Sequence, residues 1–282
     1  VEYRATLKGF IMDKLLVVGS KGTLGVAVSR YFQRKGWSVK ELSRAEFDIA
    51  HQPADSLLPY LKDVSVVVNC AGVVKPRIAV TPIEDVFKVN SVFPRNLALL
   101  SKKIGVKCVH ITSDCVYSGR KGHYSEEDLF DAEDVYGLSK CAGENKDCMT
   151  IRTSIIGEER GTSRNLLEWA RSQKGKPVNG YTNHFWNGVT TVYLAEIIEK
   201  IVTGGLYKPG IFHIFSPDTV SKHSLMEIFD EVYDLQFTIN TFEAPEPVDR
   251  SMTSIYDLSS KVSKVSVREQ VVQMREFFKT EN

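Results

Sequence analysis

The sequence predicts an α/β protein built on a doubly wound parallel sheet, with a smaller C-terminal lobe. Three observations carry this. Apolar strands alternate with amphipathic helices through the first half of the chain, the first strand ends in a glycine-rich turn, and the regular alternation gives out near residue 153. Strands covered by helices on both faces are apolar almost throughout, unlike the in-out pattern of a half-exposed sheet.

Residues 15–18 are apolar and stop at Gly19, as a buried parallel strand does. The stretch 22–35 has helical spacing, with Leu24, Val28, Tyr31 and Phe32 on one face. Residues 37–42 read as a second strand, 54–61 as a helix and 64–69 as a third, almost wholly apolar strand. One long helix is expected over 82–104, where Val86, Val89, Phe93, Leu97 and Leu100 recur at helical spacing. A fourth strand at 106–113, a helix at 136–146 and a fifth strand at 149–153 complete the alternation. Beyond it, helices are expected at 164–173, 191–202, 221–233 and 267–279, and a strand at 210–215. The acidic, proline-containing segment 242–249 reads as a loop.

The 282 residues are 43% hydrophobic and 25% charged, the make-up of an ordinary globular chain rather than a collagen-like or disordered one. Lys+Arg 36 against Asp+Glu 35 leaves a net charge of +1, so no global basic field draws the protein to nucleic acid or a membrane. No apolar run approaches the roughly 20 residues that a membrane helix needs. The five cysteines, Cys70, Cys108, Cys115, Cys141 and Cys148, are an odd count without metal-ligand spacing. They read as buried thiols of a reducing, cytoplasmic compartment, and no metal is assigned. Residues 1–11 are polar and basic with no apolar signal core, and read as an extension, added or natural, ahead of a start at Met12.

The segment from Leu15 to Gly25 is a strand, a Gly19-x-x-Gly22-x-x-Gly25 turn and the start of a helix. Gly19 permits the tight turn, Gly22 lets the backbone approach a pyrophosphate, and Gly25 lets the helix pack on the strand. The helix N-terminus then faces the anion. Lys21, Thr23 and Leu24, interleaved with these glycines, are counted in the same cofactor-binding turn. This makes the fold Rossmann-type, with a dinucleotide-binding domain over 12–153 and a mainly substrate-binding lobe over 154–282. The end of the second strand chooses the dinucleotide. Ser43 and Arg44 stand there and can hold a 2′-phosphate through charge-assisted bonds, so NADPH is favoured over NADH.

Tyr136 and Lys140 lie four apart, on one face of a helix. A lysine ammonium lowers the pKa of a nearby phenol, and such a tyrosine can give a proton to a carbonyl oxygen as hydride arrives. Ser113, at the end of the fourth strand, opens on the ligand crevice and can bond the same oxygen.

Taken in order, the glycine turn, Asn69-Cys70-Ala71-Gly72, Thr112-Ser113-Asp114 and Tyr136-x-x-x-Lys140 resemble the extended short-chain dehydrogenase/reductases. The longer runs 113–119 and 135–144 are similar to the dTDP-4-dehydrorhamnose reductase branch, and the resemblance spans essentially residues 13–280. It implies a catalytic set of Ser113, Tyr136 and Lys140, with Asn90 supporting the lysine through a water. It further implies adenine contacts at Asp48 and Ile49, cofactor contacts at Ala71 and Gly72, and a late motif at Arg250-x-x-x-Ser254-x-x-Asp257. The chain departs from the branch at Cys115, where an aromatic is usual, at Ser251, where a proline is, and at Val189-Thr190, where Pro-Thr is.

The run from Tyr181 to Gly188 gathers aromatic and amide groups that suit a base or sugar, so Asn183, Trp186 and Asn187 are substrate candidates; plugging of the interlobe core is the alternative. Arg250 is the candidate for the substrate diphosphate, with an ion pair to the acidic loop before it as the alternative. His110, His213 and His223 read as structural, and the acidic residues from Glu126 to Asp134 as solvated surface.

The expected function is NADPH-dependent reduction of the C4 ketone of a nucleotide-linked 4-keto-6-deoxy sugar, carried on dTDP, or on UDP with an N-acetyl group. Alternatives are a non-catalytic NADP-binding regulatory subunit, which the methionine adenosyltransferase partner of the same branch resembles, and a nucleotide-sugar epimerase. No Glu follows Ser113-Asp114, which argues against a dehydratase. A homodimer stays open.

Overall fold

The computed structural model describes residues 13–159 and 165–279. Residues 1–11 and Met12 lie outside them, as does Arg164 at the start of one expected helix. The chain enters through β1 (Lys14–Val18), turns into α1 (Thr23–Arg34) and returns along β2 (Ser38–Leu42). A tight helical turn, Ala54–Leu57, and α2 (Leu58–Leu61) lead back to β3 (Val66–Asn69) on the other side of β1. α3 (Lys75–Ile78), α4 (Ile83–Phe87) and α5 (Phe93–Ile104) precede β4 (Lys107–Ser113), and α6 (Val135–Gly143) precedes β5 (Met149–Thr153).

The second half supplies β6 (Ile155–Ile156), α7 (Leu166–Ser172), β7 (Pro177–Tyr181), β8 (His184–Trp186), β9 (Val189–Thr190) and α8 (Thr191–Thr203). It continues through β10 (Gly210–His213), β11 (Val220–Ser221), α9 (Lys222–Tyr233), β12 (Thr238–Phe242), β13 (Val248–Asp249), α10 (Leu258–Val262) and α11 (Val267–Lys279).

The main sheet has six strands in the order β10-β5-β4-β3-β1-β2, every pair parallel. The chain steps outward from β1 to β2, then crosses back to β3. That reversal opens a crevice at the C-terminal ends of β1 and β3. Alternate strand residues feed two cores. Leu15, Val17, Val68, Val109 and Ile151 pack against α1 and α8, while Leu16, Val18, Val67 and Cys108 pack against Leu57, Leu61, Phe93 and Leu97. Part of the chain beyond residue 153 thus returns to the sheet: β10 is its edge strand and α8 covers one face. The rest, with the β11-β8-β13 sheet, the β7–β12 pair and α7, α9 and α11, forms a second cluster around Leu167, Trp186, Phe229 and Met274.

Several expectations are corrected by the structure. The helix expected over 82–104 is interrupted by a wider π turn at Lys88–Val92. Pro94 has no N–H to give the Asn90 carbonyl, so the regular bond cannot form, and Phe93 N–H reaches back to Lys88 O instead. Gly143 of α6 packs there; a Cβ on it would lie 2.0 Å from Asn90 O. The helix expected to reach residue 146 ends at Gly143, because Glu144 turns extended and inward to meet Arg152. The segment 242–249 is not all loop: Val248–Asp249 pairs in parallel with β8, and β12, parallel to β7, runs into its start. Such short strands carry no period of their own.

Candidate active site

The site begins at the glycine turn. Gly19 has φ +78°, and a Cβ on it would stand 2.7 Å from the backbone of Ala71. A Cβ on Gly25 would stand 2.1 Å from the Gly19 carbonyl, so this residue lets α1 close on the turn. Beside them lies a cavity of about 390 Å³. Among the residues singled out in the sequence, Gly19, Lys21, Gly22, Ser43, Arg44, Asp48, Ile49, Ala71 and Gly72 line it. Thr23, Leu24 and Gly25 do not. The Thr23 hydroxyl donates to Glu159 Oε2 at 2.8 Å, Leu24 is buried in the core, and Gly25 is spent on packing. Arg77 of α3 and Val80, Thr81 and Pro82 after it also line the cavity, from a segment with no motif to announce it.

At the far end of this cavity the polar groups are already engaged. Arg44 Nε lies 3.3 Å from Asp48 Oδ2, and Lys21 Nζ 3.0 Å from Glu41 Oε2. The Ser43 hydroxyl and its N–H both donate to Glu46, which holds that carboxyl below its usual range. Any 2′-phosphate here must draw Ser43 and Arg44 away from two carboxylates.

Ser113, Tyr136, Lys140 and Asn90 lie outside the lining of this cavity, and β4 ends in Ser113. Its hydroxyl donates to Asp114 Oδ1 at 3.1 Å and accepts the Cys115 N–H at 3.0 Å. Asp134 caps α6 by accepting the Gly137 N–H at 2.7 Å, which starts the helix carrying Tyr136 and Lys140. Lys140 is buried, and its ammonium donates to Ile111 O at 3.0 Å. Burial brings its pKa down to about 8. Beside it lies Gly72, where a Cβ would stand 3.9 Å from Lys140 Nζ and 3.4 Å from Asn90 Oδ1. Asn90 itself does not bond Lys140. Its amide clamps Val73 from both sides, N–H to Oδ1 at 2.8 Å and Nδ2 to carbonyl at 3.0 Å, and bonds Ser139 Oγ at 3.0 Å.

The Tyr136 phenol departs from expectation. Burial, with the Cys115 sulfur next in weight, pushes its pKa above the ordinary value, while the Ser113 hydroxyl bonded to it pulls the other way. The phenol therefore keeps its proton here, and Ser113 and Tyr136 face one another.

The lobe residues singled out are largely spent on the protein itself. Asn183 clamps Ala244, Nδ2 to O at 2.7 Å and N to Oδ1 at 3.0 Å. Asn187 clamps Met252 in the same way, at 2.8 and 2.9 Å. Trp186 is a core residue under Gly188. The aromatic-amide run thus stitches the lobe together, and these three side chains are corrected from ligand-facing to structural. Arg250 differs: Nε donates to Tyr117 O at 2.9 Å, and among the described residues it has no ion pair with the acidic loop. Its charge is felt by Cys115, which bonds Ser113, and by Asp134, which caps α6.

The acidic residues from Glu126 to Asp134 are also used internally rather than merely solvated. Asp131 accepts the Ser118 N–H at 2.6 Å, and Glu126 accepts the His213 N–H at 2.8 Å, the Ser254 hydroxyl at 2.6 Å and the Ile255 N–H at 3.0 Å. Behind the site, Arg152 makes a bidentate pair with Glu144 at 2.7–3.0 Å and reaches Tyr117 Oη at 2.7 Å and His213 Nε2 at 3.2 Å. No sequence signal announced this pair, whose partners are joined only by the fold.

With this geometry established, comparison with known proteins is informative. The chain is 27% identical over 260 residues to the spore coat polysaccharide biosynthesis protein SpsK of Bacillus subtilis, covering 88% of this chain and 89% of that one. It is 27% identical over 270 residues to a dTDP-4-dehydrorhamnose reductase of Aggregatibacter actinomycetemcomitans, covering 88% and 92%. The crystal structure of dTDP-4-dehydrorhamnose reductase from Bacillus anthracis in complex with NADP superposes with a TM-score of 0.78 at 17% identity, over 96% of this chain and 100% of that one, which shows a shared fold. Residues 12–280 match the RmlD substrate binding domain family, and the chain belongs to it.

Proposed function

We propose that the protein is an NADPH-dependent reductase of the C4 ketone of a nucleotide-linked 4-keto-6-deoxy sugar, carried on dTDP or UDP. The observation that carries this reading is the pairing of Ser113 with Tyr136, on the helix that also brings Lys140 beside Gly72, a residue that lines the same cavity as the glycine turn. The cavity fits a dinucleotide: the backbone at Gly19 and Gly22 lies open to a pyrophosphate, and the missing side chain at Gly72 leaves room beside the lysine.

When bound, the dinucleotide supplies a hydride. The chain supplies the rest. Ser113, whose proton now rests on Asp114, turns it to the substrate oxygen and fixes the carbonyl. Tyr136 gives its phenolic proton to that oxygen as the hydride reaches C4. Lys140, held on the Ile111 carbonyl, stabilises the phenolate left behind. Substrate nucleotide binding falls to the second lobe, with Arg250 as its cation.

The direct test is turnover of a panel of dTDP- and UDP-linked 4-keto sugars with NADPH, products identified by NMR. Absence of NADPH oxidation with every member removes the reading and favours the regulatory one. Two further results are expected. Arg44→Ala should weaken NADPH about tenfold to a hundredfold and NADH little, since a charge-assisted contact contributes about 1.5–3 kcal/mol; equal weakening of both leaves Arg44 a bystander. Arg250→Ala should raise KM for the nucleotide sugar while leaving the NADPH Kd unchanged. Steady-state kinetics and cofactor fluorescence measure both constants, and a matching loss of NADPH affinity rejects the lobe assignment.

A further inference from the structure

Lys75 stands outside every sequence motif, yet the fold sets it over the reacting tyrosine. It is the first residue of α3, in a segment whose Val73 and Arg77 line the cavity and whose Val73 is clamped by the Asn90 amide. From there the Lys75 ammonium reaches across to α6. It donates to Asp134 Oδ2 at 2.7 Å and lies 5.9 Å from the centre of the Tyr136 ring.

Asp134 is the N-cap of α6, its other oxygen accepting the Gly137 N–H at 2.7 Å. The helix needs such a cap, because its first N–H groups have no partner within it. The cap also carries a negative charge, two positions from the group that must become a phenolate. Burial first, then the Cys115 thiol, Asp114 and Asp134 raise the Tyr136 phenol above its ordinary value, while the Ser113 hydroxyl lowers it. A bare carboxylate at the cap would raise it further and make it a weaker acid. Burial also works to raise the Asp134 carboxyl, but the Gly137 N–H and the Lys75 ammonium hold it below the usual range, so it stays ionised and paired. The other charged or titratable groups turned to this pair are Asp114 and Cys115 of the turn after β4, and Arg250 after β13, whose Nε is held on Tyr117 O. Among the described residues, Lys75 is the cation bonded to Asp134. Its charge near the ring face favours a phenolate directly as well.

We propose that Lys75 is a positioning residue for the reduction: by pairing with Asp134 it lets that residue cap the helix without its charge opposing proton transfer from Tyr136. This rests on the reductase reading above.

The experiment uses the full chain with NADPH and the 4-keto sugar it turns over best. Lys75→Met, which keeps the aliphatic stem, is expected to lower kcat about threefold to tenfold. KM and the NADPH Kd should stay within about twofold. The melting temperature should move by no more than about 2 °C, since the side chains of the pair are 44% and 53% exposed and such pairs add little to stability. Lys75→Arg should keep most of the rate. Asparagine caps a helix as aspartate does but without the charge, so adding Asp134→Asn to Lys75→Met should restore most of the lost kcat. A pair that served structure alone would show no such rescue. At about 1 M salt the deficit of Lys75→Met should shrink, because charges at half-exposed sites are screened.

A second measurement needs no substrate. A fluorinated tyrosine placed at position 136, with a more acidic phenol, is titrated by fluorine NMR. Lys75→Met should raise its pKa by about half a unit or more, and Asp134→Asn should cancel that rise. An unmoved phenol or an unchanged kcat in Lys75→Met overturns the proposal, as does a loss of rate that Asp134→Asn fails to repair. If no 4-keto sugar is turned over, the reductase reading fails, while the titration decides by itself whether Lys75 shields the phenol from Asp134.

Discussion

Tyr136→Phe is expected to lower kcat by about 10²–10⁴-fold, the range that a positioned proton donor contributes. The NADPH Kd should not change, because the ring stays and only the hydroxyl leaves. The structure sharpens this expectation. Burial keeps the Tyr136 phenol protonated, so the group is ready to donate rather than to accept, while burial also brings Lys140 down to about 8. Below that pH the lysine is an ammonium and can stabilise a developing phenolate; above it the charge is lost. The pH profile of kcat/KM, which reports the free protein, should therefore fall as pH rises through about 8. Stopped-flow and steady-state rates across pH 6–10, about four units, measure both effects. Near-normal turnover by Tyr136→Phe would strip the residue of its role and move weight to the regulatory reading.

Glu144→Ala is expected to cost about 3–5 kcal/mol of folding stability, the range for removing one partner of a buried ion pair. The Arg152 and Glu144 side chains are only 3% and 2% exposed, so the guanidinium left behind cannot recover its water. Tyr117 and His213 accept from the same guanidinium but carry no compensating charge. For a chain of this size the loss amounts to a melting-temperature drop on the order of 10 °C. Glu144→Gln keeps part of the hydrogen bonding and should fall between the two. Urea titration and calorimetry decide the matter, and a change within about 0.5 kcal/mol would mean that the pair does not hold the end of α6 to β5.

Much of the site was legible because its signals are local. The glycine turn is written in consecutive residues, and only glycine satisfies the φ of +78° at position 19 and the 2.1 Å approach at position 25. The spacing of Tyr136 and Lys140 needs only a helix, and the apolar runs of β1, β3, β4 and β5 need only a sheet covered on both faces. These features determined the fold class by themselves and singled out Ser113, Tyr136 and Lys140 as candidates.

What only the tertiary structure decided is which polar side chains are free to meet a ligand. Asn183, Asn187 and Trp186 have the composition of a binding loop, but their partners are Ala244, Met252 and a packed core, reached through strand pairings that no local pattern encodes. The physical reason is one of range. Backbone geometry and periodicity act over a few residues and are written in order along the chain, whereas hydrogen bonds and charges are satisfied by whatever the fold brings within a few ångströms.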